Sequence, residues 1–512
     1  MFKNYFFIIL VTWNALFGNT LKSSSIKILG AAKQVSGSSY LIETEQTQFL
    51  VDCGFFYPEN QSEDYDKDKE HTEYLNIQLP VSPQSISAIV ITHAHLDHIG
   101  KIPLLVKRGF TGKIISTELS KKLSLIMMEM ILKGTNMGEE MFVKSTKSQV
   151  IHSMKSCSWV KKIKSPVSIK SNRGEFFDRG LRLCSVCIET EVEQISSLFE
   201  TYPYNKKIYL SKEDFVEFYN AKHIPGSSSI LVSLESDKNR IFFSGDVGSG
   251  LDNILEGKPE TPDNIDYIFM ESTYGGNTRV ISIDPFLEFF SDINDALSED
   301  KIVWIPCFVL DRTQKVLNSI KTGQERGLLP SNIDLKIVSS TAKKVNRVYD
   351  KHYQYKPKYV DESLTMSPEK LEKHLTGPMI LFTPSYLDDL DFFHPIMKKL
   401  FESHDTFIAL VGYQDPRSIG GILKNIIKGS NVKLGNMGIK VEANASYYGG
   451  IFSGHIDSKG ILGYLKSINI KETVFLVHGT NSSLIDLQKQ LIQNINNKVL
   501  IPNKGQNFQL NK

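Results

Sequence analysis

The stretch Thr92-His93-Ala94-His95-Leu96-Asp97-His98-Ile99-Gly100 decides how the rest of the chain is interpreted. The apolar residues 88–91 before it predict a buried strand, and the residues after Gly100 begin a helical pattern. Three histidines and one aspartate therefore lie on a short strand-to-helix turn, where neighbouring side chains can converge. Imidazole and carboxylate together suit a borderline divalent metal such as zinc. Four such side chains exceed what one tetrahedral ion needs, so two ions are the simpler interpretation. Capping and core histidines are the structural alternative.

The bulk properties set limits on the class of protein. The chain has 512 residues, long enough for two or three domains, and its 23% charged and 41% apolar residues are typical of a globular protein. A net charge of +2 gives no overall nucleic-acid signature, so a polyanion would have to be held by local basic patches or by metals. The five cysteines form no even-numbered disulfide framework. Cys184 and Cys187 have CxxC spacing within a predicted strand, which favours a core or surface role over a zinc site.

Residues 1–24 form an N-terminal segment that we exclude from the fold. One lysine is followed by an apolar run over residues 5–18, shorter than the roughly 20 residues that a membrane span needs. This order fits a secretory signal peptide, whereas Trp13 and Asn14 interrupt the run and no A-x-A cleavage site follows. Signal peptide and ordinary extension both stay open, and with them an exported or a cytoplasmic protein. No stable membrane insertion is expected.

Acidic and histidine side chains recur at the ends of predicted strands. Asp52 ends the second strand of a hairpin that turns over residues 43–46, and His223 stands at the tip of a turn between strands. Asp246 and Glu271 each end a later apolar strand. Taken singly, these would be ordinary turn or capping residues. Arriving in series after the 93–98 motif, they are what a metal site at one edge of a sheet sandwich needs. Residues 57–80 are acidic and are predicted to be a loop.

The middle of the chain follows a different pattern. In residues 281–435 helices alternate with short apolar strands, which predicts a parallel sheet and a separate domain. No chemical motif stands out there, although basic residues cluster at Lys343, Lys344 and Arg347 and again at Arg312 and Lys315. After this region the earlier pattern returns, with two further histidines placed beside glycine after apolar strands. These are His455 and His478.

The ordered set of motifs resembles the metallo-β-lactamase fold and, within it, the β-CASP branch. Glu271 in ESTYG resembles the first motif of that branch, His455 in SGHID its second and His478 in VHG its third. The resemblance covers the chain from about residue 26 onward and is nearest to RNA-processing members, such as the cleavage and polyadenylation endonuclease subunit and its bacterial and archaeal counterparts. It implies an α/β fold, an αββα sandwich with an inserted α/β β-CASP domain. The expected divisions are 1–24 (extension), 25–280 (sandwich, first part), 281–438 (β-CASP) and 439–512 (sandwich, second part).

The same resemblance implies a role for each candidate residue. Two divalent ions are expected, zinc or else manganese. One ion would be held by His93, His95 and His223, and the other by Asp97, His98 and His478, with Asp246 bridging them. His455 would protonate the leaving oxygen and Glu271 would orient it, with Asp97 and Asp246 also counted as catalytic. Asp52 and Asp457 would support the ligands.

The third-motif histidine separates RNA-type from DNA-type members of this branch, so His478 implies a single-stranded RNA substrate. The implied reaction is metal-activated endonucleolytic hydrolysis of RNA; additional 5′-exonuclease activity, protein partners and a homodimer stay open. Two departures are visible. The loop Pro384–Leu390 is acidic where the branch has a PGM-like sequence, and Thr480 replaces a glutamate after VHG. The alternatives are a hydrolase of a small ester, thioester or lactam, a non-catalytic RNA-binding scaffold, and a single-strand DNA nuclease.

Overall fold

Three sheets organise the chain in the computed structural model. The structure describes residues 24–58, 65–79, 81–133, 169–170, 176–177, 185–235, 237–250, 254–255, 257–278, 284–353, 371, 375–384, 394–414, 419–425, 429–434 and 437–510. The N-terminal segment up to residue 23, Cys184 and the acidic loop after Pro384 lie outside these ranges. The predictions made for them therefore stay predictions.

The first sheet has seven strands and contains the predicted hairpin. In spatial order they are Asn507–Gln509, Ser25–Ile28, Tyr40–Glu43, Gln48–Val51, Ala88–Val90, Lys113–Ser116 and Phe199–Thr201. The first four strands pair antiparallel and the last four pair parallel, with Gln48–Val51 shared by both groups. The strand over 48–51 and the strand over 88–90 thus end at the same edge, one delivering Asp52 and the other the 93–98 turn.

The second sheet also has seven strands and reaches the same edge. In spatial order they are Lys498–Leu500, Asn469–Val477, Asn264–Glu271, Asn239–Phe243, Ser228–Leu234, Phe215–Asn220 and Ile208–Tyr209. The first four are parallel and the others antiparallel. Three neighbouring parallel strands therefore end side by side. Along the chain, Asp246 lies shortly after the first, Glu271 is the last residue of the second, and His478 directly follows the third.

The two sheets pack face to face through a core that the alternation of apolar residues creates. Phe269 lies in its centre, with its ring stacked 4.8 Å from Phe243 and 4.7 Å from Phe475. Helices cover the outer faces: Ile102–Lys107 and Glu118–Leu132 pack on the first sheet, and Ser458–Lys466 and Asn481–Ile492 on the second. This is the predicted αββα sandwich, and the α/β fold class is confirmed.

A third, fully parallel sheet lies in the region predicted to form a separate domain. Its strands, in spatial order, are Leu335–Ile337, Met379–Pro384, Ile302–Cys307, Thr406–Leu410 and Asn444–Tyr447. Helices Leu287–Ser298, Arg312–Glu325, Ser340–Tyr353, His394–Phe401 and Ile419–Lys424 lie in the same part of the chain. The boundary at 438 stays a prediction, and the strand pairing of this sheet continues past it to Tyr447.

Two of the remaining elements are helices where the sequence predicted other structure. Residues 57–80 were expected to be a loop, but Tyr65–Ile77 is a helix with Asp68, Thr72 and Asn76 buried along one side. Cys187 was expected in a strand, but it lies in the helix Ser185–Ser197. No apolar period marks the helix Tyr65–Ile77, because its buried side is polar. The other elements are helices Pro83–Ser85 and Leu96–Ile99 and the strand pairs Ile169–Lys170 with Phe176–Phe177 and Asn431–Leu434 with Met437–Lys440.

Among the described residues, no helix is both long enough and apolar enough to cross a membrane.

Replacing Phe269 by alanine should loosen the three strand ends that deliver Asp246, Glu271 and His478. Because Phe269 is 1% exposed between two stacked rings, we expect a loss of about 3–5 kcal/mol in the free energy of unfolding. Urea unfolding followed by circular dichroism measures this loss. Ile492→Ala, at a position that is 61% exposed, is the control and should leave the midpoint nearly unchanged. Equal midpoints for the two variants would contradict the packing described here.

Candidate metal centre

Seven ligand-type side chains converge at the shared edge of the two sandwich sheets. They form two groups whose ligand atoms lie within 4.8 Å of one another: His93, His95, His223 and Asp246 in the first, and Asp97, His98 and His478 in the second. Every predicted metal ligand belongs to one of these groups. The reason is topological, since the carboxyl ends of neighbouring parallel strands meet at one edge and His223 precedes an antiparallel strand that starts there.

In the first group, one nitrogen of each of the three imidazole rings faces the same small volume. His95 Nδ1 lies 3.0 Å from His93 Nε2 and 3.2 Å from His223 Nε2. Asp246 Oδ2 lies 3.5 Å from the Nε2 atoms of both His93 and His223. These four side chains therefore surround one small volume with nitrogen and oxygen donors.

The second group has the same character and is joined to the first through Asp246. His98 Nε2 lies 3.2 Å from His478 Nε2, and Asp97 Oδ2 lies 3.4 Å from the same His478 atom. Asp246 Oδ1 is 3.3 Å from His98 Nε2 and 3.4 Å from His478 Nδ1. The two oxygens of one carboxylate thus face two different groups.

The hydrogen bonds behind these histidines fix which ring nitrogen faces the centre. The Gly454 carbonyl can only accept, so His223 donates from Nδ1 over 3.0 Å and its Nε2 lone pair points inward. Asp52 likewise accepts from His98 Nδ1 over 2.6 Å. The Thr92 hydroxyl donates to Asp52 over 2.8 Å and therefore accepts from His93 Nδ1 at 3.1 Å. Rings held in this way turn their other nitrogens toward a common point, which is the arrangement that binds a cation.

Asp246 gives a direct test of whether a cation fits. Its side chain is 2% exposed, and Oδ1 is a buried oxygen that accepts no hydrogen bond from any residue that the structure describes. A buried carboxylate without a compensating positive charge is strongly unfavourable. Bound cations would supply that charge, so the donor set fits a divalent metal centre.

The pKa shifts agree with this picture. Burial holds the pKa values of His93 and His223 well below the usual histidine range, which favours the neutral form that a metal ion requires. Burial acts to raise the pKa of Asp246, but the charges of nearby histidines outweigh it and keep that pKa well below the usual range. Burial acts to lower the pKa of His98, but Asp246 and Asp52 outweigh it and raise that pKa well above its usual value.

His455 stands at the open side of the centre, on a carboxylate support. Like His95 it is partly exposed, whereas His93 and His223 are buried. Its Nδ1 lies 3.1 Å from both carboxylate oxygens of Glu271. Glu271 is buried and also accepts from the Val247 amide over 2.8 Å. His455 Nε2 lies 4.0 Å from Asp246 Oδ2, so this ring nitrogen faces the centre.

Asp52 is the most heavily bonded of the supporting residues. Besides His98 and the Thr92 hydroxyl, it accepts from the Thr92 amide over 2.8 Å and from Ser38 Oγ over 3.2 Å. Its backbone is in the left-handed region at φ 59°, which a non-glycine residue rarely adopts. Gly54 follows closely, and a Cβ there would lie 1.6 Å from the Asp97 carbonyl oxygen. The 93–98 turn thus packs directly on the backbone that carries Asp52.

The structure also gives the contacts of residues whose roles the sequence left open. Asp457 accepts from the Gly460 amide over 2.8 Å and caps the helix Ser458–Lys466; its support of the ligands stays a prediction. Thr480 caps the helix Asn481–Ile492 by accepting from the Ser483 amide. Sequence reasoning missed the carbonyl of Gly454 and the hydroxyl of Thr92. Thr92 directly precedes the metal motif, which is the one signal that pointed to it.

A centre of this kind at the edge of an αββα sandwich defines a metallo-hydrolase. The family model described as the metallo-beta-lactamase superfamily matches residues 32–134, and the one described as the Zn-dependent metallo-hydrolase RNA specificity domain matches residues 438–502. The two matched segments lie in the two parts of the sandwich, and the resemblance of the chain to the metallo-β-lactamase fold and its β-CASP branch is confirmed.

Curated relatives match almost the whole chain. Ribonuclease TTHA0252 of Thermus thermophilus is 24% identical, over 90% of this chain and 94% of its own length. RNase aCSPSF2 of Saccharolobus solfataricus is 25% identical, over 95% and 85% respectively. Cleavage and polyadenylation specificity factor subunit 3-II of Arabidopsis thaliana is 23% identical, over 94% and 71%.

Replacing Asp52 by asparagine should weaken metal binding without removing a ligand. Asparagine keeps the shape of the side chain but no longer offers His98 a carboxylate, so His98 loses the partner that fixes its ring. Loss of such a partner typically lowers metal affinity by about 10–100-fold. Competition with a chromophoric chelator measures the change.

Asp266→Asn is the matched control for this variant. Asp266 is also a buried aspartate, but it accepts from the Arg240 amide far along the strand from the centre. An Asp52→Asn protein that binds zinc as tightly as the Asp266→Asn protein would contradict the support assigned to Asp52.

Proposed function

We propose that this protein is a ribonuclease that holds two divalent metal ions, zinc in first place and manganese as the alternative, and hydrolyses single-stranded RNA. The observation that carries the proposal is the pair of donor groups sharing the buried Asp246. His93, His95 and His223 would hold one ion; Asp97, His98 and His478 would hold the other; Asp246 would face both. The RNA specificity domain over 438–502, and relatives named as ribonucleases, support RNA as the substrate.

The protein residues contribute orientation, charge and a proton. When bound, the ions would lower the pKa of water and offset the charge of the phosphodiester. Burial keeps His93 and His223 neutral. Their Nδ1 atoms donate hydrogen bonds to Thr92 and Gly454 respectively, so their Nε2 lone pairs face inward. Glu271 accepts from His455 Nδ1 and so fixes the ring with Nε2 toward the centre. Nε2 is then the atom that gives a proton to the leaving oxygen.

Cleavage within the RNA is the proposed reaction, with additional 5′-exonuclease activity as a further possibility to be tested on the same substrate. Phosphate contacts carry no sequence information, so we expect a weak sequence preference. A homodimer or a protein partner is compatible with this activity, and neither is required by the arrangement of the centre, whose seven ligands all come from one chain.

Asp97→Ala should abolish RNA cleavage, because it removes a carboxylate from the second group. The measurement is gel analysis of a labelled, 5′-blocked RNA incubated with wild type and with the variant purified in the same way. Internal products from wild type and none from Asp97→Ala are expected. Asp334→Ala, on an aspartate whose side chain is 49% exposed, is the control that should cleave like wild type.

Two results would contradict the ribonuclease proposal. Equal cleavage by wild type and Asp97→Ala would mean that a contaminant cuts the RNA. Hydrolysis of a chromogenic lactam or thioester by wild type, without cleavage of RNA, would favour the small-substrate alternative.

His455→Ala should slow cleavage by about 10²–10⁴-fold while leaving both ions bound, because the residue supplies a proton and holds no ion. Single-turnover rates and metal analysis of the same preparation measure the two effects. His404→Ala, on a histidine whose side chain is 66% exposed, controls for loss of a histidine elsewhere. Loss of an ion from the His455→Ala protein would show that His455 is a ligand instead.

A further inference from the structure

A buried ion pair from the inserted region lies directly against the metal centre. Lys315 and Asp311 are 4% and 5% exposed, and Lys315 Nζ lies 2.5 Å from Asp311 Oδ2. Both belong to the start of the helix Arg312–Glu325, which follows a strand of the third sheet. The sequence indicated a basic cluster at Arg312 and Lys315, but the Lys315 side chain is buried and is not part of an exposed basic patch.

The lysine reaches across to the backbone that carries the first group of ligands. Its Nζ donates to the His223 carbonyl over 3.5 Å. A Cβ built on Gly454 would lie 3.1 Å from Lys315 Nζ and 3.2 Å from the His223 ring. Gly454 is also the residue whose carbonyl accepts from His223 Nδ1. Lys315 thus packs against both segments that determine where the His223 ring lies.

The aspartate is held rigidly in an unfavourable backbone conformation. Asp311 has φ 74° and ψ −48°, a backbone conformation that residues other than glycine rarely adopt. Its amide donates to Gln314 Oε1 over 2.8 Å, and its Oδ1 accepts from Tyr349 hydroxyl over 2.8 Å. Backbone strain of this kind persists only where many surrounding contacts hold the residue in place, and it is concentrated at functional sites.

Stability alone is a poor explanation for this pair. Taking two charges out of water costs about as much as their attraction returns, so a buried ion pair is often no more stabilising than an apolar pair of the same volume. A lysine ammonium placed near two proposed cation sites is a further cost unless Asp311 neutralises it. The arrangement is explained if the lysine is needed at that position and the aspartate keeps it there.

We propose that Lys315 is a positioning residue for His223, so that the inserted region takes part in building the first metal group. Asp311 anchors the ammonium, and the ammonium fixes the carbonyl of His223 beside Gly454. This inference rests on the proposed function only in taking the first group as a metal site. It makes metal affinity depend on a side chain that contacts no ion and no substrate.

The test is zinc titration of metal-free full-length protein against a chromophoric chelator. Wild type should bind two ions. Lys315→Met keeps the apolar part of the side chain and removes the charge, so one ion should bind as in wild type and the other about tenfold more weakly. Lys321→Met is the matched control, because Lys321 forms an i,i+4 pair with Glu325 on the same helix but is partly exposed, and it should bind both ions like wild type.

A double variant separates positioning from a purely structural role. Lys315→Met leaves Asp311 buried without its partner and is expected to lower the unfolding midpoint. Asp311→Asn/Lys315→Met removes both charges and should recover the midpoint, but it should not recover the affinity for the weakened ion. Recovery of that affinity in the double variant would overturn the proposal, as would unchanged affinity in Lys315→Met. A wild-type protein that binds neither zinc nor manganese would instead contradict the proposed function, and this inference with it.

Discussion

The structure depends on compensating one buried carboxylate. Asp246 lies between two groups of imidazoles, with each of its oxygens facing a different group and Oδ1 without a hydrogen-bond donor among the described residues. Burial disfavours its charge, and only positive charge on both sides can balance it. The fold brings that balance about because strands from both sheets end at one edge, so that ligands far apart in sequence arrive around a single side chain.

The supporting hydrogen bonds matter as much as the ligands. A carbonyl at Gly454, a hydroxyl at Thr92 and a carboxylate at Asp52 each accept a hydrogen bond from one histidine ring and leave its opposite nitrogen facing inward. None of these partners needs to touch an ion. They come from the loop before a helix, from the motif itself and from a neighbouring strand, which means that the centre is defined by the packing of the sandwich as a whole.

Much of this could be predicted from the sequence because strand ends are marked by local signals. Apolar runs followed by an aspartate or histidine and a glycine located Asp52, Asp246 and His478, and the ordered motifs gave the fold class. What the sequence hid were features that depend on distant partners. The helix Tyr65–Ile77 buries a polar side, where Asn76 bonds to both the amide and the carbonyl of Phe56, so no apolar period marks it. Lys315 was indistinguishable from a surface lysine, because its partners at residues 223 and 454 are remote in sequence.

The contact between His98 and His478 joins residues 380 positions apart. During synthesis on a ribosome, His98 is therefore made 380 residues before His478. Until His478 has been made, the second group has only Asp97 and His98, although all four side chains of the first group are already present. The order of the ligands along the chain therefore makes the second group the last of the two to be completed during synthesis.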